Sequence, residues 1–186
     1  MTSVSAVPAR SRIRSLTLIA LSVALIAVCS WIAVPTAIPF TLQTFAVFAI
    51  LGLLGGRLGT AAIASYLVMG LVGLPVFSGF SSGPIALFGT TGGYLIGFLF
   101  MGLSYWLLTH LFGNRLPLVG LFLLAGLLLL YGFGSAWFLW VYLGSGKAAS
   151  FLAVLGWCVF PFVLPDLLKL ALALMVVRRL RPIVFP

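Results

Sequence analysis

The stretch Pro165-Asp166-Leu167-Leu168-Lys169 places an acid and an amine inside the last long apolar segment of the chain. Asp166 is the only acidic residue in the protein. Residues three apart on a helix project from the same face, so the two side chains lie together if this segment is helical. Inserting an ionised side chain at membrane depth costs about 2.5–3.5 kcal/mol of free energy. Such side chains therefore normally face a bundle interior or a polar cavity. The pair therefore either neutralises itself and only fixes helix packing, or it binds a small polar ligand, with an anion favoured.

The composition excludes a soluble domain. Hydrophobic residues make up 63% of the 186 residues and charged residues 6%, whereas a soluble domain carries about 25% charged residues. The formal charge of +9 does not indicate nucleic acid, because the basic residues lie between apolar segments and form no patch. The sequence predicts an integral membrane protein with one compact helical domain.

Six apolar segments divide the chain into predicted spans. The first follows a polar, basic leader at residues 1–14, which we interpret as preceding a retained helix and not as part of a cleaved signal peptide. The second and third are shorter than the usual spanning length of about 20 residues and form a hairpin around Gly55-Gly56-Arg57-Leu58-Gly59. The predicted spans are residues 15–34, 41–54, 60–74, 94–111, 118–143 and 151–177. Together they form a single predicted domain at residues 15–181.

The basic residues predict the orientation of these six helices. With the N-terminus in the cytoplasm, only Lys147 lies in an outer loop and Lys169 lies within the membrane. This asymmetry fits the positive-inside rule with both termini cytoplasmic. The eight remaining basic residues then all lie inside: Arg10, Arg12, Arg14, Arg57, Arg115, Arg178, Arg179 and Arg181.

The loop between the third and fourth predicted helices, residues 75–93, is rich in glycine and serine and contains no charge. Irregular backbone at membrane depth is tolerated where it is buried in protein or lines a cavity. We therefore expect this extracellular loop to fold back over the site. It lacks the G-x-x-x-x-G-K-[ST] pattern of a nucleotide-binding loop, as does the rest of the chain. If the function of the protein is energised by ATP, another polypeptide must therefore bind the ATP.

No arrangement of residues indicates catalysis, a metal or a cofactor. A paired-carboxylate mechanism is excluded because there is one carboxylate side chain. Cys29 and Cys158 lie in apolar runs without metal-ligand spacing and are interpreted as buried small side chains. His110 has no acid or cysteine beside it in the sequence. The chain is therefore not predicted to be an enzyme.

Two further motifs have two interpretations each. Thr41 and Gln43 open the second segment, where they are either a polar membrane entry or part of a ligand pocket. On the first helix, small residues recur at three- and four-residue spacing. This stripe either packs within the chain or docks another membrane subunit; its members are Thr17, Ala20, Ala24 and Ala27.

Five motifs follow one another along the chain: Phe40-Thr41-Leu42-Gln43-Thr44-Phe45, Gly56-Arg57-Leu58-Gly59, Gly73-Leu74-Pro75-Val76-Phe77, Gly92-Gly93-Tyr94 and Asp166-Leu167-Leu168-Lys169. In order and spacing they resemble the BioY family, the biotin-specific S components of energy-coupling factor (ECF) transporters. The resemblance covers residues 15–181. It implies a six-helix protein in the cell membrane of a prokaryote that captures biotin from outside and works with a transmembrane T component and two ABC-type ATPases.

The resemblance also implies roles for individual residues. Asp166 and Lys169 match the polar pair that contacts biotin, and Ala20 and Ala24 match the motif that contacts the T component. The residues that close over the ligand would be Phe77, Gly79 and Tyr94. Biotin suits such a pair chemically, since it has a carboxylate for an ammonium and ureido N–H groups for a carboxylate; which residue meets which end stays open. The alternatives are an S component for thiamine or riboflavin, and an assembly subunit that binds no ligand.

Overall fold

A computed structural model describes residues 9–34 and 40–184. Residues 1–8 of the predicted leader lie outside this part, as do Pro35 and Pro39. The described chain is almost entirely helical. Its elements are α1 (Ala9–Trp31), β1 (Ala33–Val34), β2 (Phe40–Thr41), α2 (Gln43–Val72), a 3-10 turn (Ser78–Phe80), α3 (Gly83–Phe88), α4 (Gly92–Phe112), α5 (Leu116–Gly144), α6 (Phe151–Cys158) and α7 (Phe160–Val184).

Five of these helices, α1, α2, α4, α5 and α7, are long and apolar enough to cross a membrane. A helix satisfies its own backbone hydrogen bonds, which is why apolar runs of this length fold as helices in lipid. α2 packs against α1, α4 and α7, and α4 packs against α5. The structure therefore agrees with the prediction of an all-helical membrane protein.

The helix α2 contains both short predicted segments and reverses direction at Gly55. Gly55 has a φ of +77° and a ψ of 173°, a conformation that glycine adopts at little cost. Beyond the reversal, a Cβ on Gly59 would lie 3.1 Å from Leu51 Cα. Nearer the ends of the helix, Gln43 Nε2 lies 3.2 Å from Tyr66 Oη. The two arms of α2 are thus antiparallel, and the reversal occurs at the first residue of the turn that the sequence predicts.

The last predicted helix, residues 151–177, is divided in the structure. α6 ends at Cys158, and Val159 has a φ of −125° and a ψ of −58°, so the helix breaks there. The break places Pro161 in the first turn of α7, where its missing N–H is tolerated. α7 then continues through Pro165 to Val184. The sequence predicts a sixth segment punctuated by Pro161 and Pro165; in the structure the break lies at Val159, two residues before Pro161, and Pro165 does not interrupt α7.

Two other boundaries differ from the predicted ones. α1 begins at Ala9, so the last residues of the predicted leader are helical. It ends at Trp31, and the residues that follow form a short antiparallel ladder in which Ala33 pairs with Thr41. This ladder positions Phe40 and Thr41 beside α7. The predicted loop at residues 75–93 contains the 3-10 turn and α3.

Candidate functional site

A cleft of about 480 Å³ lies among α2, the loop that follows it, and α3 to α7. Its walls combine apolar and aromatic side chains with a small set of polar groups, as is typical of small-molecule sites. The polar residues that line it are Thr41, Gln43, Thr44, Ser78, Ser81, Ser82, Thr91, Tyr94, Tyr131, Asp166 and Lys169, and the other lining residues are Phe77, Ile85, Ala86, Leu95, Phe98, Leu130, Cys158 and Phe162.

Asp166 and Lys169 form a buried ion pair at the edge of this cleft. Lys169 Nζ lies 2.8 Å from Asp166 Oδ1, and the two side chains are only 5% and 6% exposed. The spacing of three residues on α7 brings them to one face of the helix, as predicted. Because α7 turns this face toward the cleft, the two charges face a cavity and not lipid.

The ammonium of Lys169 has three contacts. Besides Asp166, it donates a 2.7 Å hydrogen bond to the carbonyl of Thr41, and it lies 4.0 Å from the centroid of the Phe40 ring. The carboxylate and the face of the aromatic ring both attract a cation, so these contacts hold the amine in place. The short ladder that holds Phe40 and Thr41 is therefore joined directly to the ion pair.

The second carboxylate oxygen of Asp166 accepts a 2.7 Å hydrogen bond from Tyr131 Oη. Tyr131 lies on α5 and lines the same cleft. Sequence analysis missed this residue, because the contact spans 35 positions and Tyr131 lies in a long apolar run with no charge near it. Together, Lys169 and Tyr131 fix the orientation of the only carboxylate side chain in the protein.

A second chain of hydrogen bonds holds the loop after α2 against α1 and α2. Gln43 Nε2 donates to Tyr66 Oη, which donates to the carbonyl of Val76 at 3.0 Å. Ser30 Oγ, from α1, lies 2.6 Å from the same carbonyl. This network leaves the side-chain oxygen of Gln43 free to accept a hydrogen bond within the described part of the chain.

Phe77 and Tyr94 are two aromatic residues of the cleft wall. Phe77 is 1% exposed, and its ring meets Tyr66 edge to face at a centroid distance of 5.4 Å. Tyr94 Oη lies 3.1 Å from Ser135 Oγ, and its ring packs against the bare backbone of Gly134. Both residues line the cleft, where the sequence motifs predicted a ligand.

The loop after α2, which lines part of the cleft, is anchored to α1. Trp31 Nε1 donates a 3.0 Å hydrogen bond to the carbonyl of Pro75, and the Trp31 and Phe80 rings stack at 4.9 Å. Gly79 does not line the cleft; with a φ of +66° it makes the turn between Ser78 and Ser81, which do line it. The six other predicted ligand-contacting residues all line the cleft.

The predicted docking residues lie away from the cleft. Ala20 and Ala24 are exposed on the outer face of α1, whereas Ala27 is buried in the core. The flat exposed part of the stripe is thus shorter than the spacing alone suggested. In the part of the chain that the structure describes, no group of three His, Cys, Asp or Glu residues could hold a metal ion.

The fold and the cleft define a class: a helical membrane protein with a small-molecule site built around a buried ion pair. The chain belongs to the BioY family, whose family model matches residues 2–185. It is 36% identical over 159 residues to the biotin transporter BioY of Thermotoga maritima, covering 85% of this chain and 90% of that protein. It is 38% identical over 170 residues to a probable biotin transporter BioY of Pyrococcus horikoshii, covering 90% and 96%.

A solved structure has the same fold. The crystal structure of the S-component for biotin from an ECF-type ABC transporter superposes with a TM-score of 0.82 and 26% sequence identity, over 95% of each chain. The biotin transporter BioY2 of Lactococcus lactis is 43% identical over 129 residues, covering 68% of this chain and 70% of that protein. The predicted family is confirmed by these matches.

Proposed function

We propose that this protein is the biotin-binding S component of an ECF-type vitamin importer. The observation that carries the proposal is the buried Asp166–Lys169 pair, which faces a cleft of about 480 Å³. The relatives of the chain, named as biotin transporters or probable biotin transporters, indicate which ligand this cleft binds. A pair that served only packing would need no cavity beside it. The volume lies within the range of about 300–1,000 Å³ that is usual for small-molecule sites.

The lining of the cleft suits each part of biotin. The ureido N–H groups need acceptors, which Asp166 and the side-chain oxygen of Gln43 offer, and the ligand carboxylate needs a cation, which Lys169 offers. Phe77, Phe162 and the other apolar residues would bury the fused rings and the aliphatic chain. Charge-assisted hydrogen bonds in a site shielded from water are strong and selective.

Capture and release would use different parts of the molecule. Biotin enters from the outer side, under the loop anchored by Trp31, and binding holds this loop closed. Release toward the cytoplasm requires a rearrangement driven from outside the subunit, since this sequence has no nucleotide-binding loop. We assign ATP hydrolysis to two partner ABC-type ATPases, coupled through a transmembrane T component.

The T component would dock on α1 at Ala20 and Ala24. Both alanines are exposed, and small residues four apart let a second helix approach closely. Replacing both with leucine is expected to abolish copurification with the T component while leaving biotin binding intact. Leucine at Ala136, an exposed alanine on α5, is the matched control.

In the membrane, each of the two antiparallel arms of α2 would cross the bilayer as a short span. The five long apolar helices would then make six membrane crossings. Both termini would be cytoplasmic, with Arg57 inside and Lys147 outside, in the cell membrane of a prokaryote. The distribution of the basic residues supports this orientation.

The test is binding of radiolabelled biotin to the purified protein in detergent, with unlabelled biotin, thiamine and riboflavin as competitors. We expect only biotin to displace the label. Displacement by thiamine or riboflavin would assign a different vitamin, and no saturable binding to monodisperse protein would favour an assembly subunit.

A further inference from the structure

A second depression lies on the outside of the bundle, between the first arm of α2 and the C-terminal half of α7. We call it the arginine groove. It is separate from the ligand cleft, with which it shares no lining residue. The residues that line it are Phe45, Leu172, Met175, Val176, Arg178 and Arg179.

The groove has an apolar floor and a cationic end. Leu172 and Met175 are 50% and 56% exposed, and with Arg179 they recur at three- and four-residue spacing, which places them on one face of α7. The apolar stretch from Leu172 to Arg178 is roughly 9 Å long, at about 1.5 Å per helical residue. This arrangement offers an apolar surface that ends in two guanidinium groups.

The two arginines have no counter-ion among the residues that the structure describes. Neither Arg178 nor Arg179 makes a hydrogen bond or ion pair with any described residue. The only acidic residue of the sequence, Asp166, is buried on α7 and already bound to Lys169 and Tyr131. Both guanidinium groups are exposed and can therefore bind an anion from outside the protein.

The geometry points to a binding site for one anionic phospholipid in the arginine groove. The phosphate lies between Arg178 and Arg179, since guanidinium groups form bidentate hydrogen bonds with phosphate oxygens. An acyl chain lies along Leu172 and Met175 against Phe45. Near the end of a helix apolar enough to span the membrane, at Phe160–Ile183, the two arginines are at the depth of lipid headgroups. This inference does not depend on which vitamin the cleft binds.

The experiment is native mass spectrometry of the purified full chain, titrated with phosphatidylglycerol or phosphatidylcholine that carry the same acyl chains. We expect one bound phosphatidylglycerol, favoured over phosphatidylcholine on the order of tenfold, because only phosphatidylglycerol carries a net negative charge for the two arginines. The Arg178→Gln/Arg179→Gln variant should bind the two lipids equally. Met175→Trp, which fills the groove, should weaken both.

The control variant is Arg57→Gln/Arg115→Gln, which removes two exposed arginines that do not line the groove. It should keep the lipid preference, and gel filtration checks that every variant is folded. Equal binding of the two lipids by the unaltered protein would overturn the proposal, as would an equal loss in the control. Soluble glycerol phosphate that competes at the affinity of the whole lipid would overturn it too, because the acyl chain would then contribute nothing.

Discussion

Tyr131 donates a 2.7 Å hydrogen bond to the oxygen of Asp166 that Lys169 does not contact. The carboxylate is thus held between an amine one helical turn away on α7 and a hydroxyl on α5. A buried charge needs such partners, because an unpaired one is costly in apolar surroundings. The same two bonds aim Asp166 at the cleft that we assign to biotin.

Replacing Tyr131 with phenylalanine is expected to weaken biotin binding on the order of tenfold and to leave the protein folded. The ring and its packing stay, but Asp166 loses a hydrogen bond of the kind that contributes about 1.5–3 kcal/mol. Calorimetric titration measures the change in dissociation constant. The control is Tyr142→Phe on the same helix, where the hydroxyl makes no hydrogen bond with a described residue. Equal affinities for the two variants would remove Tyr131 from the site.

The ion pair itself separates binding from packing. Lys169→Met leaves Asp166 as an uncompensated buried charge, which is expected to lower the free energy of unfolding by about 3–5 kcal/mol. Asp166→Leu with Lys169→Met removes both charges and should be more stable than the single variant. Thermal unfolding in detergent compares the two.

Biotin binding should be lost in both the single and the double variant, although only the single one is strongly destabilised. An assembly subunit whose pair serves only packing predicts the same order of stability, but no biotin binding even in the unaltered protein. Retained biotin binding in the double variant would contradict the proposed role of the pair.

The position of Tyr94 in the cleft wall depends on a glycine. A Cβ on Gly134 would lie 2.8 Å from Cγ of Tyr94 and closer still to the edge of its ring, so Gly134→Ala must displace this ring. Overpacking of this kind costs about 1–3 kcal/mol, and biotin affinity should fall because Tyr94 lines the cleft. Melting temperature and biotin affinity are the two measurements.

Gly132→Ala provides the matched control for this variant. Gly132 lies two residues earlier on α5, and nothing lies within 4 Å of the position of its Cβ. It should change neither stability nor affinity appreciably. Equal behaviour of the two alanine variants would mean that Tyr94 does not depend on the backbone of Gly134.

The proposed orientation is tested by cysteine labelling in intact cells. Cys29 and Cys158 are buried and are replaced with alanine to give a background without thiols. In that background, Lys147→Cys should react with a membrane-impermeant maleimide from outside, and Arg57→Cys only after permeabilisation. If both cysteine variants were labelled in intact cells, the turn of α2 at Arg57 could not lie at the cytoplasmic face.

The sequence was most informative where the relevant contacts are local. Asp166 and Lys169 are three residues apart, so helical geometry alone predicted that they meet. The reversal of α2 was also predictable, since Gly55 begins a turn between two apolar segments. The family motifs placed Thr41, Gln43, Phe77 and Tyr94 at the cleft because each is part of a recognisable run.

Contacts between distant segments could not be predicted in this way. Tyr131 is a partner of Asp166 only because α5 packs beside α7, and nothing in its surrounding sequence indicates this. Gly79 shapes the loop without lining the cleft, a distinction that its place in a motif does not reveal. The break at Val159 precedes Pro161, and the sequence does not show which residue near that proline leaves the helix.

The most direct test of the account is calorimetric titration of biotin into the purified wild-type protein and into the Lys169→Met variant. We predict saturable binding of one biotin per chain to the wild type and no detectable binding to the folded variant. A folded wild type that binds no biotin, or a variant that binds it as tightly as the wild type, would contradict the central claim that the buried pair is the ligand site.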